Sequence, residues 1–204
     1  MSRQIAMAVL AVAGLAGCAA GPQGPGLAAG QAPPGFQCPA AGTTIQTDGG
    51  QVVRYAGTSP TDPFVCLVAD GRGGTFESLA GWVDLPTPSF ANVRSNLGRL
   101  WPLAPGQATS YEHEVSAADG QLVAFNTSWR VTGAGVMDVS GLQRQVLTIE
   151  SVNTTVMPGY QELWTFAYDA GARAMIAAQR VVQRGTPNST GWTAINITVP
   201  GQGR

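Results

Sequence analysis

Tyr111-Glu112-His113-Glu114-Val115 places the single histidine of the chain between two carboxylates, the residue types from which acid–base chemistry is made. A general base needs an orienting partner within hydrogen-bond reach. On a strand, successive side chains point to opposite faces. His113 then shares a face with Tyr111 and Val115, while Glu112 and Glu114 project away from it. A hydrolase using His113 is the one enzymatic alternative, and no partner for it is visible in the sequence. The expectation is a protein that is not an enzyme and carries no cofactor.

Other chemistries find fewer residues still. One histidine and three cysteines, with acids occurring singly, do not supply the ligand set of a zinc or calcium site. There is no Gly-x-Ser-x-Gly, Cys-x-x-Cys or His-Glu-x-x-His motif. Gly71-Arg72-Gly73-Gly74 lacks the third glycine and the following helix of a phosphate-binding loop. The chain has no lysine, which excludes Schiff-base and P-loop lysines. Eleven arginines against twelve acids, scattered along the chain, leave no electrostatic footprint for nucleic acid.

Five tryptophans fall at irregular intervals, at 82, 101, 129, 164 and 192. Large aromatics fill small β cores, and packing is the plain reading of all five. The functional reading is an aromatic-lined sheet face that holds an acyl chain, a glycan or a peptide, with Phe125, Trp129, Trp164, Phe166 and Trp192 as candidates.

The N-terminus carries a different kind of signal. Arg3 precedes an apolar and small-residue run from Ile5 to Leu15, the layout of an export signal. The run ends in Leu15-Ala16-Gly17-Cys18, which resembles the lipobox of bacterial lipoprotein precursors. That resemblance implies removal of residues 1–17 as a signal peptide, lipidation of Cys18, and a membrane partner reached through the anchor. Ala19, where inner-membrane lipoproteins often carry Asp, implies the outer membrane, facing the periplasm. The alternative is an uncleaved anchor helix, for which the run is short against the roughly 20 residues a span requires. A single acyl chain anchors marginally, at ~0.8 kcal/mol per buried CH₂; the three chains typical of such lipoproteins would hold the protein almost permanently. With Cys18 lipidated, Cys38 and Cys66 remain as an even pair suited to a disulfide in an oxidising compartment, two buried free thiols being the alternative.

The elements that must position these residues are mostly strands. Residues 18–35 are rich in Gly, Pro and Ala and read as a flexible tether. A small β region follows over 36–85. Thr43–Thr47 and Gln51–Tyr55 flank Asp48-Gly49-Gly50, a hairpin signal, and Phe64–Ala69 gives a third strand before the turn at Asp70–Gly74. Residues 86–99 form a linker with a short helix, capped by Ser89 and stopped by Gly98. Strands are expected at 109–117, 121–132, 135–139, 143–152, 161–169, 174–184 and 191–199, separated by turns that include Gly133-Ala134-Gly135.

Trp101-Pro102-Leu103-Ala104-Pro105-Gly106, followed by Tyr111, resembles the opening of a loose group of half-barrel envelope domains. The group includes lipoprotein-carrier-like folds and domains of unknown function. The likeness covers residues 100–199 and implies a fold without implying catalytic residues. The fold class expected is mainly β: an antiparallel up-and-down curved sheet over 100–200, preceded by the disulfide-stapled β region. The expected function is a lipid-anchored envelope protein with a non-catalytic binding or structural role toward an envelope protein or cell-wall partner. A hydrophobic-ligand carrier or sensor is the alternative.

Overall fold

The structure, a computed structural model, describes Leu27 and residues 30–117, 120–157 and 159–201. The signal peptide, the lipobox and Cys18 lie outside the described residues. Eleven strands form one open antiparallel sheet. In chain order they are β1 (Thr44–Thr47), β2 (Val52–Thr58), β3 (Val65–Ala69), β4 (Thr75–Leu79), β5 (Val83–Asp84), β6 (Ala108–Ser116), β7 (Leu122–Val139), β8 (Leu142–Thr155), β9 (Gln161–Asp169), β10 (Ala174–Arg184) and β11 (Ser189–Thr198). Helix α1 (Phe90–Leu97) and a 3-10 turn (Gly98–Leu100) separate β5 from β6. The spatial order is β5-β4-β3-β2-β1-β11-β10-β9-β8-β7-β6. The early β region and the later meander thus join edge to edge, with Ile45 opposite Ile197.

The hairpin at Asp48-Gly49-Gly50 forms as expected, with Gly50 at φ +78° where a side chain would be strained. Asp48 also accepts a hydrogen bond from the Thr193 amide, tying the turn to β11. Cys38 and Cys66 are bonded, their sulfurs 2.07 Å apart, and both are buried in the main core.

Three local expectations are corrected. Gly133-Ala134-Gly135 is not a turn, because β7 runs unbroken through it. The register with β8 slips between Val131 and Gly133, a bulge that leaves Thr132 unopposed. The turn between β7 and β8 falls at Ser140-Gly141, in the gap expected between 139 and 143, where φ values of +54° and +79° make a two-residue hairpin loop. Ser89 precedes α1 without capping it through its side chain; its hydroxyl accepts the Glu114 amide and pins the helix to β6. Gly98 does stop the α-helix after Leu97, as expected, and opens the 3-10 turn. The last part of the presumed tether is docked: Pro33 is buried, Leu27 packs against the core, and the Gln31 carbonyl accepts from Arg94.

The bulge has a structural consequence. Before it, Trp129 and Val131 face the main core with Ile149. Beyond it, Met137 and Val139 join Val146 in a second core that includes Ile45, Tyr55 and Ile176. Val146 and Leu147 are neighbours on β8 yet serve different clusters, so the two cores lie on opposite faces of these strands. The Ser140 hydroxyl reaches the Ile195 carbonyl on β11, which requires the sheet to curl through β8, β9 and β10.

Arg94 of α1 makes a buried bidentate pair with Asp62, at 2.6 and 2.9 Å. Burial alone would raise the Asp62 carboxyl, but the Arg94 hydrogen bonds, the Phe64 amide and the guanidinium charge outweigh it and hold the carboxyl below its usual range. No helix among the described residues is long and apolar enough to cross a membrane.

Candidate functional site: the open end of the core face

Strand register arranges the main-core face in rows about 6–7 Å apart. The first row is Val131, Ile149, Phe166, Ala178 and Trp192, set across five strands. Residues from the 79–103 stretch, Trp82 and Trp101 among them, pack against the same core and cover it. The second row, Trp129, Ser151, Trp164 and Arg180, lies at the rim of that cover. The third is polar: Thr127, Asn153 and Glu162, with Tyr111 beside Thr127 on β6. His113 and Phe125 follow, and beyond them the strands end in apolar tips.

The five aromatic candidates do not form one free platform. Trp129 is buried, while Phe166 and Trp192 are partly buried against the main core. Trp82, Trp129, Phe166 and Trp164 stack in file, with successive centroids 5.6 Å apart. The Trp164 and Phe166 planes differ by 2°, and the Arg180 guanidinium caps the file 5.8 Å from the Trp164 centroid. The rings therefore spend their faces on one another. Phe125 stands apart, edge-on to Tyr160. Ser151, buried between Trp129 and Trp164 in the row, has a hydroxyl with no hydrogen-bond partner among the described residues.

His113 does have a partner, though not a carboxylate. Its Nε2 lies 2.9 Å from Thr127 Oγ1. Thr127 donates its one hydroxyl proton to Asn153 Oδ1 at 2.7 Å, so it accepts from an Nε2–H on His113. Asn153 Nδ2 donates in turn to Glu162 Oε1 at 2.9 Å. Glu162 also accepts from Trp164 Nε1 at 2.9 Å and from the Tyr160 hydroxyl at 2.7 Å. Arg180 Nη1 stands 3.8 Å from its second oxygen. A directed chain thus runs from His113 on β6 to Glu162 on β9, where four donor groups meet one carboxylate.

Burial lowers the His113 pKa, since the imidazolium loses hydration there. Tyr160 is raised, first by burial and then by its bond to the Glu162 carboxylate. Tyr111 is pushed up to about 12 by burial, while its oxygen accepts from Trp129 Nε1 at 3.1 Å. Glu112 and Glu114 are exposed on the opposite face of β6, as strand alternation requires. Among the described residues, no group of three or more His, Cys, Asp or Glu could hold a metal ion.

Sequence reasoning found His113 and the aromatics but not Thr127, Asn153, Tyr160, Glu162 and Arg180. One signal was present. Thr127 and Glu162 are polar residues on strand faces whose neighbouring members are largely apolar, but that pattern acquires meaning only once register sets them beside Asn153.

No protein-family model matches the chain, and no curated protein matches it. Among solved structures, the crystal structure of the hypothetical lipoprotein YmcC from Escherichia coli K12 is similar, with a TM-score of 0.46 and 11% identity. The alignment covers 76% of this chain and 82% of that one.

Proposed function

We propose that this protein is a lipid-anchored protein of the bacterial cell envelope whose β domain has a non-catalytic binding or structural role. Cys18 carries the lipid, and the domain faces the periplasm from the outer membrane. The observation that carries the reading is Leu15-Ala16-Gly17-Cys18, placed directly before a Gly/Pro/Ala segment in which Leu27 packs against the core. A modified cysteine nine residues upstream of a folded β domain is a tether-and-domain arrangement. The bonded Cys38–Cys66 pair suits an oxidising space.

The non-catalytic half rests on the open face. Glu162 is fully engaged by donors, and His113 is oriented by a hydroxyl rather than by an acid. The mutual stacking of Trp129, Phe166 and Trp164 favours packing over a ligand-holding platform. The partner is then an envelope protein or the cell wall, met through the surface of the sheet. Labelling cells with radioactive palmitate tests the anchor: the wild-type band carries label and Cys18→Ser does not. Equal labelling of both would remove the anchor from the reading. A His113→Ala strain that reproduced the deletion phenotype would remove the non-catalytic half.

A further inference from the structure

We infer that the end of the sheet formed by the β6–β7 and β8–β9 turns seats in the bilayer surface, so that the domain docks on the membrane rather than trailing from it. The inference rests on the anchor reading for its proximity to lipid, and on the order of side chains along the strands for its geometry.

Four large apolar residues stand exposed at this end. Val115 is 41% exposed, Leu122 54%, Val156 48% and Met157 81%. They are neighbours: Val115 pairs with Val123 next to Leu122, and the Val156 amide donates to the Ala124 carbonyl at 2.9 Å. Their arrangement is therefore a patch across two adjacent turns, not scattered exposure. Immediately behind it on the core face come Tyr160 and His113, with Trp164 and Arg180 two rows further in, all half-buried. Apolar tips followed by Tyr160, an aromatic with a polar end, and His113 is the order in which side chains partition across a membrane interface, hydrocarbon first and headgroup level next. Two residues of strand separate successive rows, so the tips lead His113 and Tyr160 by about 7 Å. That matches the ~5–10 Å depth at which interfacial segments bury. Arg184, exposed at the end of β10 opposite Gln161, offers a cation to anionic headgroups at the same end.

The length of chain upstream fits this seating. Helix α1 runs along β6 with Ser89 beside Glu114 and Asn92 beside Glu112. Its far end, at Gly98, meets Leu27. Nine residues at 1.5 Å per residue put Leu27 about 14 Å behind Glu114, hence roughly 20 Å from the tips. The nine residues from Cys18 to Leu27 span at most about 30 Å, enough to reach a bilayer on which the tips rest and too short to let the domain roam far from it.

The test uses the full lipidated protein reconstituted in vesicles of phosphatidylethanolamine and phosphatidylglycerol. With Cys18 acylated and Cys38–Cys66 bonded, Met157→Cys and Leu142→Cys each give one site for an environment-sensitive fluorophore. Leu142 is 53% exposed at the opposite end of β8. The expected result is a blue-shifted emission from position 157, quenched by headgroup-proximal spin-labelled lipid, and an unshifted, unquenched signal from position 142. A probe at 157 as wet as the one at 142, on protein that floats with the vesicles, overturns the docking and leaves the anchor standing. Failure to float removes the anchor. The same probe with vesicles added then judges the tips alone: a blue shift supports the docking and its absence overturns it.

Discussion

Glu162 illustrates what a single side chain does on this face. It collects donors from Asn153, Tyr160 and Trp164, and Arg180 stands beside it. Removing it leaves several partly buried donors unpaired, and hydrogen bonds to a charged group contribute about 1.5–3 kcal/mol each after exchange with water. Glu162→Ala should lower the unfolding free energy by about 2–3 kcal/mol, and Glu162→Gln by less, because the amide oxygen keeps part of the acceptor role. Urea denaturation checks both. A Glu162→Ala variant as stable as wild type would mean that the polar chain contributes nothing to the fold. His113 gives a pH signature. Its folded pKa lies below the unfolded value of about 6.5, so the unfolded chain binds the proton first. The contribution is fully present above about pH 6.5 and is lost as pH falls from there toward the folded pKa. His113→Asn should flatten that part of the stability profile, measured by denaturation across the pH range. An unchanged slope in the variant would assign the dependence to other groups.

At the scale of elements, the sheet depends on places where a side chain would not fit. At Gly191 on β11, a β-carbon would stand 2.8 Å from the Ala178 carbonyl oxygen, a backbone atom that cannot rotate away. Gly191→Ala should therefore cost about 1–3 kcal/mol, as overpacking does, and should appear as a lowered thermal midpoint. A midpoint equal to wild type would show that β10 and β11 separate without penalty. Much of this level was legible beforehand. The Asp48-Gly49-Gly50 hairpin, the helix ending at Leu97 and the strand spacing from Tyr111 onward are local consequences of turn residues and alternation. The failures share one cause. Gly133 and Gly135 look like a turn, but their place opposite Thr148 and Val146 in a bulged ladder makes them strand. The short strands β4 and β5 carry no clear alternation and exist because β3 offers an edge to β4, and β4 in turn to β5. For the site, His113 and the aromatics could be named from their types. The chain linking His113 to Glu162 joins residues 113, 127, 153 and 162 through register alone. No local pattern encodes a contact between strands.

At the scale of the whole molecule, Leu27 packs against the main core, the sheet curls over two cores, and one end is tipped with exposed apolar residues. A domain built this way places its covered core away from the open tips, with the His113–Glu162 belt between them. The reading depends on residues 15–18 supplying a lipid at the near end of the tether. Mass spectrometry of the intact protein extracted from cell membranes tests this most directly. The account predicts a chain that begins at Cys18 and carries acyl chains on it. A chain that retains Met1, or one that begins at Cys18 without added acyl mass, would contradict it.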